Sequence, residues 1–282
     1  MRISDRLRKL KPSATLAVNA KAQELKAQGR EVVSLAVGEP DFGTPEHVRE
    51  AAKRAIDEGF TRYTPVPGIP DLRCAIAGYY GQFYGVSAKA ENTISTDGGK
   101  QALYNLLTLS NFWQRHPENV AIVGALSNSF CMTGWRVGWT LAHADLVKAC
   151  AKIQGQSTSN INSIAQKAAI AALTGPWSLV DEMKTAFVRR RDLALGVIRS
   201  WPGVTCPKPD GAFYLFPVVD KYYTPEMPDS AALCTRLLEE AGVALVPGSA
   251  FGDDRCVRFS YAVADEVLMT ALARVGKVLL GK

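Results

Sequence analysis

Between Ser127 and Arg136 the chain sets a hydroxyl, an amide and a guanidinium around a Thr133-Gly134-Trp135 turn. The Arg136 fork can pair two oxygens of one anion at once. Asn128, beside Ser127, offers an amide, which is neither a nucleophile nor a proton shuttle. A second candidate lies upstream, where a β-branched strand pattern (Asn92 to Thr96) runs into Asp97-Gly98-Gly99-Lys100 and a helical pattern follows. A strand–Gly-Gly–helix unit points free backbone N–H groups at an anion, although an isolated Gly-Gly pair is more often a plain turn. The third is Arg258, on a strand pattern in Val257-Arg258-Phe259-Ser260-Tyr261. Burying an arginine on a strand is costly unless an anion meets it. His47, His116 and His143 stand at no catalytic spacing and read as structural or surface residues. The six cysteines show no C-x-x-C or other metal-ligand spacing, so no metal is expected and reduced thiols are the simplest reading.

The elements that must position these residues follow from periodicity and punctuation. Helical patterns cover 13–30 (ending at Gly29), 45–58 (Pro45 in its first turn), 69–84, 101–109, 162–173, 177–199, 230–241 and 265–280. Lys148 and Lys152 fall on another helix after Ala142 and read as a solvated face. Strand patterns cover 31–36, 92–96, 119–123, 136–142, 212–217, 243–246 and 256–262. Such alternation in 282 residues, 47% hydrophobic and 21% charged, is that of an α/β globular protein with a sizeable core. No run approaches the length of a membrane span, and no apolar leader opens the chain. Net charge is +6 and dispersed. The one tight basic run, Arg189-Arg190-Arg191, lies in a helical pattern and reads as a solvated face rather than a nucleic-acid site. The expectation is a cytoplasmic protein with no nucleic-acid or membrane partner.

Several short motifs, in order, resemble the class I aminotransferases that use pyridoxal phosphate (PLP). The first block, about 1–110, carries Ser13-Ala14-Thr15, Gly38-Glu39-Pro40-Asp41-Phe42, Tyr63-Thr64-Pro65 and Gly98-Gly99-Lys100-Gln101-Ala102-Leu103. It looks most like the bacterial aspartate aminotransferase branch. The second, about 117–282, carries the Ser127–Arg136 segment, Gly211-Ala212-Phe213-Tyr214, Val246-Pro247-Gly248-Ser249-Ala250-Phe251 and Val257 to Ala262. The resemblance implies amino-group transfer between an amino acid such as aspartate and a 2-oxo acid. It implies PLP as cofactor and a homodimer. Ser127 and Arg136 then match phosphate contacts, with Gly98 and Gly99 adding donors, and Tyr63 matches a tyrosine that reaches a partner subunit's phosphate. Arg258 matches the arginine for the substrate α-carboxylate, and Gly38 a glycine whose backbone lies against it. Thr15 and Lys100 match positions that meet the distal carboxylate of an acidic substrate.

The chain departs from the family in two ways. The family motif reads S-K-x-F-x-M-T-G-W-R, and its lysine forms the Schiff base; here Asn128 stands in its place and cannot form an imine. Between the blocks, near Leu109 to Gln114, a long family stretch is missing. That stretch holds the aromatic stacking on the pyridine ring, the N-P-T-G asparagine, the aspartate facing the ring nitrogen and a tyrosine on the ring's 3-oxygen. No N-P-x-G and no D-E-x-Y occurs in this sequence. The resemblance implies a truncated large domain (43–175) keeping three neighbouring strands of a seven-strand sheet. It also implies a small α+β domain (176–282) on which residues 1–42 pack. Three readings stay open: a family member with little or no activity, an aminotransferase for an acidic amino acid completed by a partner chain, and a non-catalytic binder of an anionic metabolite. The 119–123 strand would become an apolar edge, which favours self-association.

Overall fold

Ser13 has extended backbone and its hydroxyl accepts the Leu16 amide, so helix α1 (Ala14–Ala27) begins there. It ends before Gly29, whose φ of 82° no bulkier residue adopts readily. The structure is a computed structural model and describes residues 13–108 and 120–281; the Leu109–Gln114 junction, His116 and Asn119 lie outside the described residues. The described chain forms two compact units, one made of 13–41 with 183–281, the other of 42–108 with 120–182.

The 42–182 unit is built on one three-stranded sheet. Strands β2 (Thr93–Asp97), β3 (Ile122–Ala125) and β4 (Val137–Leu141) lie in the order β2-β4-β3, with β4 antiparallel to both neighbours. The three strands expected to be neighbours are therefore in one sheet. Every residue of β4 is buried, as for a strand covered on both faces. On one face helices α2 (Glu46–Asp57), α3 (Pro70–Tyr84) and α6 (Ser163–Thr174) enclose Leu72, Ile76, Phe130, Met132 and Trp139. On the other, α4 (Gly98–Thr108) and α5 (Ala144–Gly155) close over Ile94, Leu106, Leu146 and Cys150. Helix α4 starts at Gly98, earlier than the expected Gln101, because Gly98 with φ 75° turns the chain straight out of β2. The chain leaves this unit inside helix α7 (Ser178–Ser200), later than the expected 175/176 boundary, because Trp177 and Val180 still pack on this core.

In the other unit, β1 (Val33–Ser34) pairs in parallel with β6 (Val243–Ala244), so the N-terminal segment is stitched to the C-terminal third. A second sheet has the order β5 (Tyr214–Leu215), β8 (Val257–Ser260), β7 (Val246–Pro247). The single strand expected over 243–246 is thus two short ones, which exchange partners across the fully buried Leu245. Helices α8 (Ser230–Glu240), α9 (Asp265–Leu280) and the later turns of α7 cover these strands.

The basic triplet is not a solvated face. Consecutive helical residues point about 100° apart, and only Arg189 faces water. The Arg190 side chain, 7% exposed, takes Asp41 bidentately at 2.7 and 3.0 Å and Asp265 through Nε at 2.9 Å. Arg189 takes the same Asp265 through two donors, at 2.8 and 3.0 Å. Hydrogen bonds from Arg189 first, then Arg190, hold the Asp265 carboxyl at about 2. An unfolded aspartate titrates near 3.9. Because the folded value is the lower one, Asp265 stabilises the fold fully above about pH 4 and loses that contribution as pH falls towards about 2. Chemical denaturation of wild type and Asp265→Asn is expected to show a stability gap at neutral pH that closes across this window. A gap that persists to the bottom of it would refute the assignment.

Candidate anion sites

The register of the sheet assembles the first site. Asp97 stands opposite Val137 and Ala125 opposite Gly138, so one further step along β2 and two along β3 place Gly98 on one side of Arg136 and Ser127 on the other. Strands β2 and β3 both end here, where open α/β sheets bind ligands. Arg136 is exposed, has φ 56°, and donates from Nη1 to the Thr133 carbonyl at 2.9 Å and from Nη2 to the Asp97 carbonyl at 3.4 Å. A Cβ on Gly98 would lie 2.1 Å from Nη2, so the position needs glycine for close approach as well as for its backbone. A Cβ on Gly138 would meet Gly98 C and Gly99 N at 2.5 Å, which seats the first turn of α4 directly on β4. The first-turn amides of α4 have no intrahelical acceptor. Thr44 ties the turn down: its hydroxyl donates to the Cys131 carbonyl at 2.6 Å and accepts the Trp135 indole N–H at 3.1 Å. Beside Arg136 opens a cavity of about 540 Å³ lined by Asp97, Cys131, Gly134, Trp135, Arg136 and Asn162.

Asn128 is exposed in the turn after Ser127, and its carbonyl accepts the Cys131 amide at 3.4 Å. Lys100 is exposed on the first turn of α4. Tyr63 is 92% exposed in the loop between α2 and α3, and no hydrogen bond or ring contact among the described residues ties it to Arg136 or Gly98. Two residues that sequence reasoning missed hold that loop. The fully buried Gln154 amide donates to the Val66 and Ser95 carbonyls at 3.1 and 3.0 Å. Gln166, also fully buried, donates to the Thr64 hydroxyl at 2.8 Å and accepts the Ile69 amide at 2.8 Å. The signal in the sequence is an amide on the otherwise apolar stripe of each helix.

The second site is in the other unit. Arg258 on β8 lies 4.4 Å from the Tyr214 ring centroid and 4.7 Å from that of Phe251, and its Nη2 donates to the Ala36 carbonyl at 2.6 Å. Its Nε is buried with no hydrogen-bond partner among the described residues. Burial pulls the guanidinium below the ordinary arginine range, and the Tyr214 phenol opposes that pull. Burial in turn raises the Tyr214 phenol, against Arg258. Gly38 belongs to the same cluster: a Cβ there would lie 1.6 Å from the Tyr214 hydroxyl oxygen. Thr15 is half-buried in the first turn of α1 in this unit, and no hydrogen bond among the described residues joins it to Arg258. A cleft of about 670 Å³ also lies here, lined by Arg30 and Lys277 as well as by the pairs Arg236–Glu240 and Arg274–Glu31.

The donors fit one end of a phosphorylated cofactor and not the other. The register sets Arg136 beside the first turn of α4, with Ser127 at the facing position after β3, and the absence of a side chain on Gly98 makes room for the guanidinium. The neighbouring side chain at 128 is an amide.

The family model for aminotransferase class I and II matches residues 30–116 and 110–275. The aspartate/prephenate aminotransferase of Cereibacter sphaeroides is 33% identical over 390 aligned positions, covering 97% of each chain. That of Thermus thermophilus is 33% identical over 385 positions, covering 98% of each. The structure of the aspartate aminotransferase from Thermus thermophilus with maleate is similar at a TM-score of 0.90 and 32% identity, over 99% of this chain and 100% of that one. That of the Rhizobium meliloti aspartate aminotransferase gives 0.88 at 27% identity, over 99% of each.

Proposed function

The chain belongs to the class I and II aminotransferases, the PLP-dependent family of fold type I, and on that premise we propose that it keeps the family's two anion sites while having lost transamination. One observation carries the reading: the side chain next to the Ser127–Gly98–Arg136 cradle is the Asn128 amide. Arg136, Ser127 and the α4 amides would hold the phosphate of PLP, which when bound supplies an electron sink for amino-acid chemistry. Asn128 can neither attach the aldehyde covalently nor carry a proton to the substrate carbon. The length of the chain supports a missing block. The alignment runs over 390 positions and the chain has 282 residues, so at least 108 positions have no counterpart here. The two family matches meet between α4 and β3.

Arg258 supports binding rather than mere descent. A half-buried guanidinium whose Nε has no partner among the described residues, stacked between two rings, retains its affinity for a carboxylate. Maleate accompanies the Thermus thermophilus relative, and a four-carbon dicarboxylate is the natural probe here. Arg258→Leu is expected to weaken maleate binding by about 1.5–3 kcal/mol, roughly ten- to a hundredfold in Kd. Calorimetry that finds equal affinity for both chains would sink the carboxylate site.

PLP titration followed by borohydride reduction and peptide mass mapping tests the whole reading. The expected outcome is phosphate-dependent binding, no adduct in the peptide carrying Asn128, and no transfer of an amino group from aspartate to 2-oxoglutarate. An adduct on Lys100, or measurable turnover, would overturn it. We further propose a homodimer in the cytoplasm. Its support is the exposed Tyr63 on a loop pinned by two buried glutamines, a posture suited to reaching another chain.

A further inference from the structure

Two clefts adjoin in the unit made of 13–41 and 183–281, away from Arg258 and its ring partners. Arg236, Val278 and Gly281 line both. The larger, about 670 Å³, is charged: Arg30, Arg236, Arg274 and Lys277 line it together with the carboxylates of Glu31 and Glu240. The smaller, about 320 Å³, is lined by Tyr222, Tyr223, Met227, Leu233 and Leu279. The Tyr222 hydroxyl donates to the Pro202 carbonyl at 2.9 Å and the Tyr223 hydroxyl to the Asp254 carbonyl at 2.5 Å. The smaller cleft therefore offers rings and apolar chains, with both phenol protons already engaged.

Positive charge is in excess in the larger cleft. Arg236 pairs with Glu240 at 2.9 Å and Arg274 with Glu31 at 2.5 Å. Arg30 donates to the Glu239 carbonyl, which carries no net charge. Lys277 is exposed and makes no ion pair among the described residues. Helices α8 and α9 both end at this cleft, at Ala241 and Gly281, and each C-terminus adds about half a negative charge. Four cations still outweigh two carboxylates and two helix ends. Their frame is fixed by backbone. Gly242, with φ 65°, turns α8 into β6, and a Cβ there would lie 2.5 Å from the Glu31 carbonyl oxygen. The Gly242 carbonyl accepts the Val33 amide at 2.8 Å. The cations thus come from three segments, the end of α1, α8 and α9, locked against one another rather than from one helix face.

We infer that the two clefts form one site for a nucleoside phosphate, with the phosphates on Arg30, Arg236, Arg274 and Lys277 and the base against Tyr222, Tyr223 and Met227. Charge selects the head. A guanidinium pairs two oxygens of one phosphate at once. Glu31 and Glu240 are 78% and 50% exposed, so both can turn to water and release their arginines to a ligand. That release suits a group of two or three negative charges better than a single carboxylate. The neighbouring lobe selects the body. Tyrosine rings and a thioether favour a flat π-system, whichever base carries it. The volumes fall within the roughly 300–1,000 Å³ of small-molecule sites. The site uses neither Arg136 nor Arg258, so it goes beyond the proposed function and stands whether or not PLP binds.

The experiment is calorimetric titration of the intact chain with ADP, inorganic pyrophosphate and adenosine. ADP is expected to bind about tenfold more tightly than pyrophosphate, through stacking of the base, and at least about tenfold more tightly than adenosine, through the phosphates. Lys277→Glu changes an exposed side chain without an ion pair, and is expected to weaken ADP and pyrophosphate alike by about tenfold with an unchanged circular dichroism spectrum. Tyr222→Leu is expected to weaken ADP by a similar factor and to leave pyrophosphate unchanged. Should that change disturb folding, the ratio of ADP to pyrophosphate affinity in the wild type reads the same lobe with no change to the protein. No binding of ADP at millimolar concentration overturns the inference. So does ADP affinity equal to that of pyrophosphate, or indifferent to Lys277→Glu. ADP affinity that falls instead with Arg136→Leu would put the nucleotide at the first anion site and overturn it too.

Discussion

Asn128→Lys is expected to capture PLP covalently and to recover very little transamination. Position 128 is exposed in the turn that follows β3, next to Ser127 and Arg136, so a lysine there has room and lies beside the phosphate cradle. The adduct should appear as a borohydride-stable mass on the Ser127–Arg136 peptide, and it should vanish when Arg136 is also replaced by leucine. Turnover of aspartate with 2-oxoglutarate needs more than the attachment. The lysine is also the family's proton shuttle, and general acid–base work of that kind contributes about 10²–10⁴-fold. The sequence has no N-P-x-G and no D-E-x-Y, the segments that would hold and protonate the pyridine ring. Robust turnover by the parent chain would remove the basis for the proposed loss of activity. Turnover by the lysine variant alone would show that the absent block is dispensable and that one side chain separates this protein from transamination.

The largest stability effect is expected at Asp41. Arg190 is the buried member of its cluster, while the Asp41 and Asp265 side chains are each about a third exposed. Removing one partner of a buried ion pair typically costs about 3–5 kcal/mol, because it strands a charge away from water. Asp41→Ala leaves two guanidinium nitrogens without their bidentate acceptor, and Asp265 still neutralises Arg190, so the lower end, about 3 kcal/mol, is expected. Arg190→Met removes the buried charge itself and leaves carboxylates that water can reach, so it should cost less. Urea denaturation of the two variants decides the matter. If Arg190→Met proves the more damaging, the bonds that Arg190 makes to both carboxylates outweigh the cost of stranding its charge.

Side-chain chemistry and element type are legible in the order of residues alone. That position 128 carries an amide is a property of the residue, and no fold can make that amide a nucleophile. Helix α9 is legible to its ends because Asp265 to Leu280 is long and evenly periodic. The strand β2 and the helix that follows it are legible because Gly98 and Gly99 mark the change from one to the other, although they are the first residues of the helix and not a turn before it. What the sequence leaves open are relations between distant residues. Whether Arg190 faces water depends on Asp41, far away in the chain, coming to meet it. Periodicity alone assigns a run of three arginines to solvent. The split of the 243–246 strand depends on which partners flank Leu245, and local propensity contains no term for that. Likewise, only the antiparallel placement of β4 between β2 and β3 brings Gly98, Ser127 and Arg136 to one point, since register is set by pairing between strands and not along one. Among the described residues that same placement gives β3 a single neighbour, and an apolar strand cannot announce from its own residues how many neighbours it has.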